Sequence, residues 1–213
     1  MKLIDMTVTN FASEVDSNSP APGGGSVSAL ASDIGVGLAR MMAHLSFGKK
    51  KFEALDDKTK EEFKVRFDKL GEIRTELSTL VDKDTESFNE FMKALKLPKE
   101  TDEEKVARAK AMEEATIFSI EVPYKTAKLS LEALKLLDFL VANGNQNAIT
   151  DIGVGTLMIA TGMEGAILNV KVNLMGLENK EIHDKYSKGC KDMLSEGQKM
   201  KDDIIAKIHK QLD

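Results

Sequence analysis

Between Phe63 and Leu95, nine apolar residues step by three or four positions: Phe63, Phe67, Leu70, Ile73, Leu77, Val81, Phe88, Phe91 and Leu95, with one gap of seven. That spacing follows the turn of an α-helix and not the two-residue alternation of a strand. Asp84 fills the gap, so a carboxylate stands where the stripe asks for an apolar side chain. If the stripe is buried, desolvation raises the Asp84 carboxyl pKa and makes it a proton donor near neutral pH. A structural aspartate satisfied by hydrogen bonds is the competing reading. Asp82 lies about 200° around the helix from Asp84 and, with Glu86 at i+4, reads as an exposed polar face.

The rest of the chain follows the same period. Only four prolines occur in 213 residues, and long 3.6-period patterns dominate, so the expected fold is all-α: a single-domain bundle of long antiparallel helices over 1–213. Thr7–Val15 reads as a short helix and Gly25–Leu45 as a long one. Gly48 and Lys49–Lys51 break the pattern after it. Lys96-Leu97-Pro98 ends the striped helix, and Thr101 opens the next with an acidic first turn. Pro123 is expected to kink that helix or divide it in two, and Asn143-Gly144-Asn145 stops it. Thr150–Met175 is a glycine-rich helix that close burial must sustain. Ile182 to Ile208 marks a long C-terminal helix. Asp33-Ile-Gly-Val-Gly37 recurs as Asp151-Ile-Gly-Val-Gly155, so two similar small-residue helices can pack as a pair.

Pro20-Ala-Pro-Gly-Gly-Gly-Ser26 is the strongest local signal. Prolines fix the entry, glycines permit unusual backbone angles, and Ser26 stands near a helix start. Backbone N–H groups there favour an acceptor oxygen or an anion, which makes Gly23, Gly24, Gly25 and Ser26 candidate binding residues. A tight connection with an N-cap is the plainer reading. A Walker-type phosphate loop is excluded, because no Lys-Ser/Thr pair follows the last glycine.

Asn145, Asn147 and Asp151, with Asn169 and Asn173 further on, form a second polar constellation whose amides suit the edge of a heterocycle. Asp151 and Asn169 are roughly 27 Å apart on one unbroken helix, so they line a long groove or serve different sites in an oligomer. Lys49, Lys50 and Lys51 suit a carboxylate tail or a solvated loop. The net charge of −5 speaks against a general nucleic-acid surface. The lone Cys190 excludes a disulfide framework and suits a reducing compartment. His44, His183 and His209 lack metal-ligand spacing, so no metal is assigned. Met1–Asp5 lacks a signal-peptide core, and the uncharged stretch Ile152–Met163 is too short for a bilayer span. A cytoplasmic protein with no membrane association is expected. Small residues at Ala31/Gly35/Ala39 and Gly155/Gly162/Ala166 invite close helix contacts, read here as a homodimer interface.

Several motifs resemble one family when taken in order: Pro20–Ser26, Gly48-Lys-Lys-Lys-Phe52, Val81-Asp-Lys-Asp-Thr-Glu-Ser-Phe88, Leu97-Pro98 and Glu104-Lys-Val-Ala-Arg108. Val122-Pro123, Gly144-Asn-Gln-Asn147, Thr150–Gly155 and Asn169-Val-Lys-Val-Asn173 complete the set. Together they resemble the formiminotetrahydrofolate cyclodeaminase/methenyltetrahydrofolate cyclohydrolase family over essentially the whole chain. Thr150 stands where serine is expected, with the hydroxyl kept. The resemblance implies an all-helical homodimeric enzyme that binds tetrahydrofolate in a groove, with no metal and no cofactor beyond that substrate.

Two reactions go with it. N10 of 5-formiminotetrahydrofolate attacks the formimino carbon, releasing ammonia and 5,10-methenyltetrahydrofolate, or the methenyl compound is hydrolysed to the 10-formyl form. Under the resemblance, Asp84, or failing that Asp82, is the acid/base. Gly23–Ser26 offers donors to the folate. Asn145, Asn147 and Asp151 hold the pterin edge, with Asn169 and Asn173 in the groove, and Lys49–Lys51 attract the glutamate tail. Cyclodeaminase activity is favoured, with cyclohydrolase the alternative. Fused family members carry a formiminotransferase domain, for which 213 residues leave no room, so a formimino substrate is expected from a separate protein. A helical dimer that binds an anionic ligand without turnover is the reading from a different class.

Overall fold

The striped segment is one helix, α4 (Asp57–Leu95), in the computed structural model, which describes residues 2–213. Asp56 caps it, accepting the Thr59 N–H at 3.0 Å. Phe63, Leu70, Ile73 and Leu77 are fully buried, while the opposite face carries exposed ion pairs such as Lys64–Asp68 at 2.6 Å. The other helices are α1 (Val8–Val15), α2 (Gly24–His44), α3 (Lys50–Glu53), α5 (Asp102–Asn143), α6 (Ile149–Leu174) and α7 (Lys180–Leu212). No strand occurs among the described residues, and the fold is all-α.

Cross-helix pairs give the directions. Arg66 reaches Lys135, Lys125 pairs with Glu76, and Arg108 reaches Leu95, so α4 and α5 are antiparallel. Asp33–Arg74 and Ser26–Asp84 set α2 antiparallel to α4. Tyr186–Glu121 and Lys207–Asp138 show that α7 runs parallel to α5, as alternation through the antiparallel α6 requires. One hydrophobic core runs through α2, α4, α5, α6 and α7.

The closest approach joins α2 and α6. A Cβ on Gly35 would stand 2.7 Å from the Gly155 carbonyl oxygen, and one on Gly155 would stand 2.6 Å from that of Gly35. A Cβ on Gly162 would overlap the Ser32 hydroxyl and lie 2.5 Å from the Ser28 carbonyl. The two five-residue repeats therefore meet each other, antiparallel, within one chain. The small-residue faces read as a dimer interface are used up in this contact, so they carry no argument for a second copy.

Two expectations change. Of the two outcomes expected at Pro123, division does not occur, and α5 continues through it. The proline lacks an N–H, which leaves the Ser119 carbonyl without its helical partner, and the Asn173 amide of α6 donates to that oxygen at 2.7 Å. Residues Lys49–Lys51, read as a break, cap and begin α3, which is held by edge-to-face contacts among Phe47, Phe52, Phe63 and Phe67. The stretch Gln146–Leu174 is also longer than its uncharged centre suggested. By length and composition alone it would cross a membrane. In the fold its apolar residues Ile152, Ile159, Met163 and Ile167 face the core formed with α2, α5 and α7.

The α2–α6 contact makes a graded prediction. Gly162→Ala should lower the thermal midpoint, at a cost of about 1–3 kcal/mol for overpacking. Gly37→Ala meets only Arg74 Nε at 3.8 Å and should be neutral or stabilising by up to about 1 kcal/mol through helix propensity. Calorimetric melting of both variants checks it, and equal midpoints would contradict the packing.

Candidate active site

Asp84 occupies the gap in the stripe because α2 begins beside it. Gly25 has no side chain, and a Cβ there would overlap the Asp84 carboxylate. The Ser26 hydroxyl donates to Asp84 Oδ2 at 3.2 Å, and the Ser26 backbone N–H faces the same group. Ser26 Oγ also lies 3.3 Å from Thr85 Oγ1. Gly23, the N-cap of α2, contributes no side chain, so Asp84 acts as the cap from another helix.

The expected anion at the Pro/Gly loop is thus the protein's own carboxylate. The loop glycines serve close approach and not unusual angles: Gly23 is extended, and Gly48, at φ 73°, has the only positive φ among the described residues. A Cβ on Gly24 would lie 3.0 Å from Asn169 Nδ2. Burial pushes the Asp84 carboxyl above the ordinary aspartate range, and the Ser26 hydrogen bonds pull it part of the way back.

Asp84 lines a cavity of about 1000 Å³. Pro20, Ala21, Gly23 and Gly24 form one wall, and Asp84, Ser87, Phe88 and Phe91 of α4 form the next. Arg108, Glu113, Thr116 and Ser119 come from α5, and Asn169, Val172 and Asn173 from α6, with Leu177 and Glu178 beyond its end. The upper part of the apolar stripe is therefore cavity wall and not core.

Asn169 donates to Gly165 O at 2.9 Å and Asn173 to Ser119 O. Each primary amide has a second N–H and a carbonyl oxygen besides. Arg108 donates to the Leu95 carbonyl at 3.2 and 3.3 Å, capping the end of α4 while lining the cavity. Arg108, Glu113, Thr116 and Ser119 were not singled out from the sequence as site residues. They sit on a helix whose long apolar pattern gave them no contrast, although Arg108 belongs to one of the quoted motifs.

The remaining candidates are elsewhere. Asp82 is half-buried and not on a solvated face, because its carboxylate accepts the Leu3 N–H at 2.6 Å and the Ile4 N–H at 3.4 Å. It fastens the N-terminal turn Leu3–Asp5 to α4. Lys49, Lys50 and Lys51 line a separate cavity of about 230 Å³ with Asn145 and Asn147. Asn145 is committed to the turn: its Nδ2 donates to Leu45 O at 3.0 Å and its Oδ1 accepts the Asn147 N–H at 3.1 Å. Asp151, half-buried in the first turn of α6, lines neither cavity. The expected residues thus divide into two groups at opposite ends of α2 and α6.

Residues 7–192 match the family described as Formiminotransferase-cyclodeaminase. The chain belongs to this family. A methenyltetrahydrofolate cyclohydrolase of Methylorubrum extorquens is 33% identical over 190 residues, covering 89% of each chain. Formimidoyltransferase-cyclodeaminases of mouse and chicken are each 31% identical, over 91% and 98% of this chain. This chain spans only 35% and 38% of those two proteins. The crystal structure of a formiminotetrahydrofolate cyclodeaminase from Thermotoga maritima superposes with a TM-score of 0.77, at 22% identity over 98% of this chain and 96% of that one. The family is thus an enzyme family of folate one-carbon chemistry, and this chain has its fold throughout.

The Asp84 geometry carries a pH prediction. A folded-state pKa above the ordinary 3.8 means that the ionised group costs stability: the contribution is full below the unfolded pKa and lost as pH rises through the folded one. Asp84→Asn removes this cost. The thermal midpoint of the variant minus that of the wild type should therefore grow from pH 3 toward neutrality, by differential scanning fluorimetry. A difference that shrinks over that range would show that Ser26 and the helix dipole outweigh burial.

Proposed function

We propose that this chain converts 5-formiminotetrahydrofolate to 5,10-methenyltetrahydrofolate with release of ammonia, working as a cytoplasmic homodimer. The observation that carries the reading is Asp84: a carboxyl shifted toward the protonated form, held by Ser26, on the wall of a cavity with room for a folate. N10 attacks the formimino carbon and a tetrahedral carbon forms between N5 and N10. The N10 proton must leave and the departing nitrogen must gain one. One carboxyl beside that carbon performs both transfers, and the C–N bond to ammonia then breaks. Asn169 and Asn173 offer amide donors and acceptors to the substrate's polar edge, and Phe88 and Phe91 give it an apolar wall. Asp82, tied to the N-terminal turn, takes no part. The single buried cysteine supports a reducing compartment.

Hydrolysis of the methenyl compound to 10-formyltetrahydrofolate is the second reading. It is favoured by the cyclohydrolase relative, which this chain matches over 89% of both lengths. That reaction also passes through a tetrahedral carbon, but its first step needs a base that takes a proton from water. A carboxyl biased toward protonation suits the release of ammonia better.

A paired assay separates the readings. With 5-formiminotetrahydrofolate the enzyme should form the methenyl chromophore and stoichiometric ammonia faster than the uncatalysed cyclisation. Loss of that chromophore from supplied methenyltetrahydrofolate should be slower. The reverse ranking would establish the cyclohydrolase, and saturable binding without either reaction would leave a binding protein. Asp84→Asn should lose turnover on the order of 10²–10⁴-fold while remaining folded. Asp82→Asn should keep turnover and instead speed amide exchange at Leu3 and Ile4.

A further inference from the structure

The buried hydroxyls of Ser28, Ser87, Thr116, Thr126 and Thr156 each donate to a carbonyl three or four residues back in their own helix. That is the ordinary way for a helical serine or threonine to satisfy its hydrogen. Ser26 and Thr85 do otherwise. Ser26 Oγ lies 3.2 Å from Asp84 Oδ2 and 3.3 Å from Thr85 Oγ1. Among the described residues, Thr85 Oγ1 has no other hydrogen-bond partner in the protein. Ser26 is fully buried, so its hydroxyl depends on these two neighbours.

Counting hydrogens orders the three groups. An ionised carboxylate only accepts, and a hydroxyl has a single hydrogen to give. With Asp84 ionised, Ser26 gives its hydrogen to Oδ2, and Thr85 must then be the donor of the second bond. With Asp84 protonated, the same three oxygens join in the opposite sense. The carboxyl O–H donates to Ser26 Oγ, and Ser26 donates to Thr85 Oγ1. The Thr85 hydrogen then turns to a carbonyl of its own helix, as the other helical hydroxyls do. No covalent bond changes between the two arrangements; the hydroxyls rotate.

We propose that Thr85 is a positioning residue for Asp84: with Ser26 it forms a reversible line of hydroxyls that keeps the carboxyl hydrogen-bonded in both of its protonation states. In the reading above, Asp84 takes a proton and returns one within each turnover. A partner that follows the proton by rotation keeps the site organised through both transfers. The part in turnover rests on that reading, whereas the line of hydroxyls does not.

Charged neighbours do not supply this service. Arg108, Lys110 and Glu113 of α5 and Glu178 beyond α6 share the cavity with Asp84, and α2 and α6 bring no charged side chain to its wall. Asp82, the nearest carboxylate on α4, is turned to Leu3 and Ile4. Burial and Ser26 are what act on the Asp84 carboxyl.

Carbon-13 NMR of the aspartate carboxyls tests the line without substrate, with the Asp84 signal assigned by its loss in Asp84→Asn. Thr85→Val keeps the shape and removes the hydroxyl. Hydrogen bonds to a charged acceptor are the stronger ones, so the loss weakens the ionised arrangement most. The Asp84 titration midpoint should therefore rise, by up to about one pH unit. Thr85→Ala, which also lacks the hydroxyl, should shift it the same way, and Thr85→Ser should titrate as the wild type does. A midpoint in Thr85→Val at or below the wild-type value, or an equal rise in Thr85→Ser, would overturn the proposal.

Turnover gives the second readout. On the folate that the wild type converts, Thr85→Val should lower kcat roughly three- to tenfold with KM unchanged, and Thr85→Ser should recover it. An equal loss in both variants, or a loss in neither, refutes the role in turnover. If the wild type turns over neither folate, the proposed function fails, while the titration still decides the line of hydroxyls.

Discussion

The contact between Gly35 and Gly155 fixes where everything else can stand. Each glycine's missing Cβ leaves room for the other's carbonyl oxygen, so the two backbones approach as closely as the chain allows. Away from the crossing, Gly162 fits against Ser32 and Ser28, Gly165 against Ser28, and Gly24 against Asn169. These contacts succeed one another with the same antiparallel sense. Sliding α6 by one residue would drive side chains into slots that accept none, and interiors this dense do not yield continuously. The register set at the middle of the pair thereby decides which residues of α6 meet the first turn of α2. Asn169 stands beside Gly24 as a result, and Asn173 can reach Ser119.

Two opposing effects act on Asp84 at that first turn. A helix N-terminus favours negative charge through its unpaired N–H groups, and Ser26 adds a hydroxyl donor at 3.2 Å. Burial among Gly25, Ser26 and the apolar stripe disfavours the same charge, and it is the larger effect. Burial therefore keeps the carboxyl above its ordinary range while Ser26 limits the rise, and a group held between these two effects suits accepting a proton and returning one. A surface carboxylate would be held ionised by water. A carboxylate sealed in the core without Ser26 would be held neutral.

Asp84 was legible in the sequence because one charged residue interrupted a long apolar period, and that contrast survives folding. Helix existence was legible for the same reason, and the cap at Thr101 announced one start. Which helices lie side by side was not, since periodicity says which face is buried but not against what. That Asn145 and Lys49–Lys51 lie apart from Asp84 within one chain follows from the length of α6, which already sets Asp151 and Asn169 roughly 27 Å apart. The loop glycines were legible as unusual but for the wrong cause. Sequence alone cannot tell a glycine needed for its backbone angles from one needed for the space its side chain would fill.

Pro123 shows how a local defect becomes part of a site. Inside α5 it leaves the Ser119 carbonyl without an intrahelical donor, and a buried acceptor in that state costs about 1–3 kcal/mol. Asn173 supplies the donor from α6, and the Ser119 hydroxyl reaches the Ser87 carbonyl of α4 at 3.4 Å. Three helices are thus tied at one residue on the cavity wall. Without the proline, α5 would have kept that carbonyl for its own hydrogen-bond ladder and left α6 free to shift at its C-terminal end. The proline that local rules mark as a helix breaker therefore holds together the three walls between which the substrate must fit, and its cost to α5 is offset by the cross-link it makes available.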